Sequence, residues 1–199
     1  MGGLTPTQAV TDFVHTQGGK AAKLESGKVD LMGGIFAAAS LYTGSFGSTN
    51  IWTQTATVNF GQSFTARPIA LKGFYKYTPN VINLVKNVPA GVTIVKDQTL
   101  DQCAIYIALA KKTYTIDNGN QSTFIDFKND ENIIAYGELP SGAATEGDGY
   151  VEFNIPLKYK NLTDQPTHII VVCSSSKYGD YTVSYTHLRA HVTGRNLVC

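Results

Sequence analysis

Residues 150–159 read YVEFNIPLKY, and apolar side chains recur at every second position. Val151, Phe153, Ile155, Leu157 and Tyr159 share one parity, while Glu152, Asn154 and Lys158 share the other. A period of two marks an extended strand with one buried face, because successive side chains point to opposite sides of a sheet. Pro156 falls on the polar parity. Without an N–H it cannot serve an interior ladder, so this strand is expected at an edge or a bulge.

The pattern recurs along the chain. GKAAKLES, GIFAAASLYTG, TATVNF, RPIALKGFYKY, CAIYIALAKK, ENIIAYGEL and THIIVVCSSS are further strand candidates. Between them lie turn-forming clusters: PAG (89–91), DNGNQ (117–121), SGAATEGDG (141–149) and DQP (164–166). Eight strands at this spacing predict an all-β fold, a sandwich or jelly roll, rather than an α/β one. Only TPTQAVTDFV, 5–14, offers a helical turn. In RPIALKGFYKY (67–77) parity assigns Ile69, Leu71, Tyr75 and Tyr77 to a buried face and Lys72, Phe74 and Lys76 to a wetter one. A charged fraction of only 16% together with eleven tyrosines suits such pleated, half-buried surfaces.

Several function classes find no footing. A net charge of +1 gives no electrostatic case for nucleic acid or an anionic membrane. No apolar run approaches the roughly 20 residues that span a bilayer, and the start, MGGLTPTQAV, lacks the charged and apolar regions of a signal peptide. Cys103, Cys173 and Cys199 form no CxxC pair, which leaves neither a zinc knuckle nor a redox motif. Cys103 and Cys173 lie in apolar strand patterns and are expected as buried free thiols. GxSxG, HExxH, the P-loop and a post-strand GxGxxG are all missing. DNGN (117–120) and EGDG (146–149) cluster oxygens that could take a structural Ca²⁺, but neither matches an EF-hand loop; no metal or other cofactor is expected.

Sugar binding asks for less: an aromatic face and a few fixed polar groups. Trp52, in the polar stretch STNIWTQT, is either an exposed ring or a cap on the end of the sandwich. Arg67, the one arginine before residue 189, could hold a carboxylate inside the fold or meet an acidic sugar. Trp52, Arg67, Lys72, Tyr75 and Tyr77 are therefore the candidate carbohydrate-binding residues, with Lys72 and the two tyrosine hydroxyls reaching towards a groove. A glycoside hydrolase would instead need two carboxylates about 5–10 Å apart, and Asp101 and Glu138 are the candidates for that pair. A purely structural or adhesion domain is the third reading.

Seven segments, in order, carry a resemblance: GKAAKLES (19–26), LYTGSF (41–46), VNFGQSFTARPIALKGFYKYTP (58–79), DQCAIYIAL (101–109), IIAYGEL (133–139), VEFNIPLKYK (151–160) and PTHIIVVCSSSKYGDY (166–181). Together they resemble the C-terminal domain of the "putative carbohydrate metabolism domain" proteins of gut-dwelling Gram-negative bacteria. The resemblance implies a jelly-roll β-sandwich similar to carbohydrate-binding modules. It further implies a glycan as partner and an extracellular or outer-membrane setting as part of a secreted protein or lipoprotein, behind an immunoglobulin-like domain. On this reading residues 1–18 are a poorly defined lead-in, 19–181 the sandwich, and 182–199 a non-native tail resembling sequencing-adapter read-through. That tail holds two of the three arginines and no acidic residue. With it the family's last strand is expected to be missing, leaving an unpaired edge.

Overall fold

The strand Ala104–Ala110 sets the layering. Ile105, Ile107 and Leu109 are buried on one parity, and Ala108 and Ala110 on the other. A strand shielded on both faces has to lie in a middle layer, which is where the computed structural model puts it. The structure describes residues 6–29, 35–50, 52–53, 55–85, 88, 91–179, 182–183, 186–191 and 197–198. The expected boundary at Tyr181 and Cys199 lie outside these residues.

The first sheet is antiparallel, in the order Thr7–Val10, Ala21–Glu25, His187–His191, Ala70–Thr78, Val151–Pro156, and Leu197–Val198 also pairs with Ala70–Thr78. The middle sheet runs Lys158–Tyr159, Ile133–Glu138, Ala104–Ala110, His168–Ser174, Ser40–Tyr42, with Gln62–Ser63 pairing beside His168–Ser174. Leu24, Leu71, Tyr77, Phe153 and Ile155 of the first sheet meet Ile105, Ile107, Leu109, Ile134 and Ile169 of the second in the main core. Each fully buried Ile or Leu there contributes roughly 1.5–3 kcal/mol. A smaller sheet, Tyr114–Asp117, Thr55–Phe60, Gly44–Asn50, covers the middle sheet's other face. Tyr114, with Phe60 and Ile116, joins a second core there around Ala108, Ile170 and Val172.

The sandwich predicted by alternation is thus the fold, with some corrections. Parity groups Ile69 with the core, yet it is 59% exposed, because the ladder begins one residue later at Ala70. The helical turn expected in 5–14 is instead the strand Thr7–Val10. Among the described residues the one helical element is a 3-10 turn, Gln121–Thr123. The slot expected to stand open is filled. His187–His191 pairs with Ala21–Glu25 on one side and Ala70–Thr78 on the other, burying Leu188 and Ala190. It comes from the stretch 182–199, which composition sets apart, and its own apolar alternation suits it to that position.

Pro156 lies where parity placed it, at the sheet's edge. After Leu157 the chain changes sheets, and Lys158–Tyr159 pairs with Ile133–Glu138. The crossing is tight: a Cβ on Gly137 would meet the Pro156 carbonyl oxygen at 2.4 Å.

Cys103 and Cys173 are buried and free. Burial pushes both thiols up to about 12, and for Cys103 the neighbouring Cys173 adds to the rise. A thiol reagent at pH 8 should therefore leave both unmodified in the folded protein and modify both once it is denatured. Peptide mapping of the labelled cysteines checks this, and labelling of either in the native state would contradict the buried placement.

Candidate functional site

Outward-pointing side chains of Ala70–Thr78 floor the candidate site. Leu71, Tyr75 and Tyr77 face the core, so Lys72, Phe74, Lys76 and Thr78 face out. The segment between Thr7–Val10 and Ala21–Glu25 returns across this face. At its turn Phe13 adopts φ of +48°, in the left-handed region that costs a residue with a Cβ roughly 1–2 kcal/mol. Tyr150, just before Val151–Pro156, donates its hydroxyl to the Phe13 carbonyl oxygen at 3.0 Å, and the two rings stack with centroids 5.9 Å apart. His15 lies flat on Phe74, centroids 3.5 Å apart and planes 12° apart, with Tyr150 edge-on to it at 6.0 Å. Four rings from three segments thus gather on one outer face. Burial holds the Tyr150 hydroxyl above the usual tyrosine range.

Beside the rings is a hollow of about 310 Å³ lined by Phe13, Lys76, Thr78 and Arg189, at the lower end of the roughly 300–1,000 Å³ of small-molecule sites. Both cations lie against the Phe13 ring, Lys76 Nζ at 4.8 Å and the Arg189 guanidinium carbon at 5.4 Å from its centroid. Lys76 also donates to the Asp148 carbonyl oxygen at 2.8 Å, and Arg189 to that of Asp12 at 3.2 Å. Phe13 is 50% exposed, so much of its surface remains open to a ligand.

The residues singled out from sequence do not converge. Tyr75 and Tyr77 are core residues, Tyr75 packing edge-on to Phe153 at 6.0 Å, and burial raises both hydroxyls' pKa values. Lys72 is exposed on the outer face, opposite Asn154, but does not line the hollow. Arg67 donates to the backbone carbonyls of Asp164 and, at 3.0 Å, of Asn161, with its guanidinium 4.5 Å from the Tyr159 ring centre; it ties down the 161–164 loop. Trp52 is 90% exposed in the turn joining Gly44–Asn50 to Thr55–Phe60, where Asn50 Oδ1 accepts from its backbone N–H at 3.0 Å. That hairpin belongs to the sheet covering the far side of the molecule, away from Lys72.

Asp101 is buried, accepting from Ser176 Oγ at 2.5 Å and from the Gln102 N–H at 2.7 Å. Glu138 is exposed at the end of Ile133–Glu138, taking the Tyr136 hydroxyl at 3.0 Å. The oxygens of DNGN serve the chain itself: Asp117 Oδ1 accepts from Gly119 N–H, Asn118 Oδ1 from Ala56 N–H and Asn120 Oδ1 from Ser122 N–H. In EGDG, Asp148 partners Lys76. The sequence reading missed Phe13, His15, Tyr150, Phe74 and Lys76 as a group. Outward parity of Phe74 and Lys76 was the one signal available for it.

The family model for the "Putative carbohydrate metabolism domain" matches residues 3–184. The chain belongs to the putative carbohydrate metabolism domain family. Solved structures agree in fold with this putative carbohydrate metabolism domain. A putative glycoside hydrolase from Bacteroides thetaiotaomicron VPI-5482 superposes with a TM-score of 0.65 at 20% identity, over 94% of this chain and 55% of that one. Another from Bacteroides vulgatus ATCC 8482 gives 0.66 at 22% identity, over 98% of this chain and 77% of that one. The domain therefore spans little more than half the length of the first. No curated protein matches it.

Proposed function

We propose that this domain binds carbohydrate without cleaving it, using the outer-face hollow and the rings around it. The observation that carries the reading is the gathering of Phe13, His15, Phe74 and Tyr150 on one face beside Lys76. Aromatic faces stack on the C–H groups of a pyranose, and adjacent polar groups read its hydroxyls. Family membership and the glycoside-hydrolase-like fold support a carbohydrate ligand. Hydrolysis would need two carboxylates across the sugar, yet Asp101 is buried and held by Ser176 and the Gln102 N–H, whereas Glu138 is exposed at the end of Ile133–Glu138 and taken by Tyr136. The acids that pair with the hollow's cations, Asp12 and Asp148, are largely exposed. The setting that goes with this reading is the cell surface or the medium, where polymeric glycans are met.

Affinity electrophoresis and a glycan array on the full chain test it. Retention by at least one polysaccharide is expected, and His15→Ala with Phe74→Ala should weaken it about tenfold, in line with the roughly 0.5–1.5 kcal/mol that an aromatic contact contributes beyond its buried area. No retention on any glycan, or retention indifferent to the double variant, would sink the proposal.

A further inference from the structure

Strand register places three cations side by side. Arg189 is paired with Lys23 on one side and with Lys76 on the other, across the face that carries the hollow. Like charges directly opposite one another destabilise a sheet, so such a row needs negative partners. Lys23 has a tight one, Glu25 at 2.7 Å. The two cations at the hollow are served less well: Lys76 reaches Asp148 Oδ1 at 3.7 Å and Arg189 reaches Asp12 Oδ2 at 3.9 Å. The burial of the partners is also lopsided. The side chains of Lys76 and Arg189 are 21% and 24% exposed, whereas those of Asp148 and Asp12 are 110% and 77% exposed. The cations are withdrawn into the protein while their acids stand in solvent, where an ion pair contributes little. Among the described residues no carboxylate lines the hollow; its walls there are a ring, a hydroxyl-bearing side chain and two positive groups. The Phe13 ring fixes both cations from one side, so little side-chain order is lost when an anion arrives.

Resting on the carbohydrate reading above, we infer that the hollow selects acidic saccharides, sugars carrying a carboxylate or a sulfate ester, over neutral ones. The anion meets Lys76 and Arg189 and displaces the long contacts to the Asp148 and Asp12 carboxylates, while the bonds to their backbone carbonyls hold the cations in place. An arginine fork suits either group, since both offer paired oxygens. The sugar ring then rests towards Phe13 and the His15–Phe74 pair.

Binding of the full chain to polygalacturonate, to its methyl ester and to dextran sulfate, each measured by affinity electrophoresis beside neutral dextran, tests this. Esterification removes the charge and keeps the ring, so the acid form should bind at least about tenfold more tightly than the ester, the usual worth of a hydrogen bond to a charged group. Retention by dextran sulfate alone would identify the anion as a sulfate, retention by polygalacturonate alone as a carboxylate; either supports the inference. Lys76→Gln and Arg189→Gln should each erase most of the preference, and Lys128→Gln, an exposed lysine elsewhere, should not. Added salt should weaken the acidic ligand more than the ester. Equal retention of acid and neutral polymers, or a preference that survives Lys76→Gln, overturns acid selection while leaving carbohydrate binding intact. Failure to retain any glycan removes both.

Discussion

Ile107→Ala should lower folding stability by about 2–5 kcal/mol, the usual cost of truncating a large aliphatic side chain in a packed core. Ile107 is fully buried at the centre of Ala104–Ala110, paired with Gly137 on one side and Val171 on the other. Its side chain reaches the main core, where the two principal sheets meet. With both backbone partners fixed in register, the surroundings have little freedom to close the void. For a domain of this size the loss corresponds to a fall of roughly 5–15 °C in Tm. Ile69→Ala is the comparison, since that side chain is mostly exposed and its truncation should stay within about 0.5 kcal/mol. Thermal and urea unfolding of the two variants decide the matter. Similar losses for both would mean that the layers are wrongly assigned.

Phe13 separates binding from stability. Phe13→Ala should weaken glycan binding about 30-fold, as expected for a hot-spot ring worth about 2 kcal/mol, because it removes the surface against which Tyr150, Lys76 and Arg189 are arranged. Phe13→Gly should weaken it as much, yet fold better than the alanine variant. At φ of +48° alanine keeps the Cβ clash and glycine does not. The relief of roughly 1–2 kcal/mol, less the 0.5–1 kcal/mol of extra chain entropy that glycine loses, favours the glycine variant by roughly 0.5–1 kcal/mol. Calorimetric titration with the retained glycan and unfolding curves for both variants measure the two effects separately. Full binding by either would remove Phe13 from the site; equal stability would mean that the turn relaxes when the ring is gone.

The core was legible from sequence because alternation fixes which side chains share a face. Leu71, Tyr75, Tyr77, Phe153 and Ile155 all lie inside as parity assigns them. Strands without a buried face left no such mark. Every residue of Gly44–Asn50 is exposed, and Thr7–Val10 has two exposed residues among its four, so neither carries a hydrophobic period. The site was less legible than the core. Its rings come from a turn, from the residue before a strand and from the outward parity of Ala70–Thr78, and what unites them is a chain reversal at Phe13 that depends on a left-handed backbone. Nothing in the composition of TDFVHT announces that conformation. Tyrosine abundance pointed instead at Tyr75 and Tyr77, whose hydroxyls face inward, and Arg67 proved to be anchoring backbone carbonyls.

The alternation along Ala70–Thr78 also bears on how such a domain can diverge. From Leu71 onward its odd-numbered positions belong to the interior and its even-numbered ones to the outer face, so Phe74, Lys76 and Thr78 can be exchanged without disturbing what Leu71, Tyr75 and Tyr77 hold together. Relatives descended from one ancestor can then acquire new ligand preferences through a few substitutions on a single strand, each tested by selection for affinity alone.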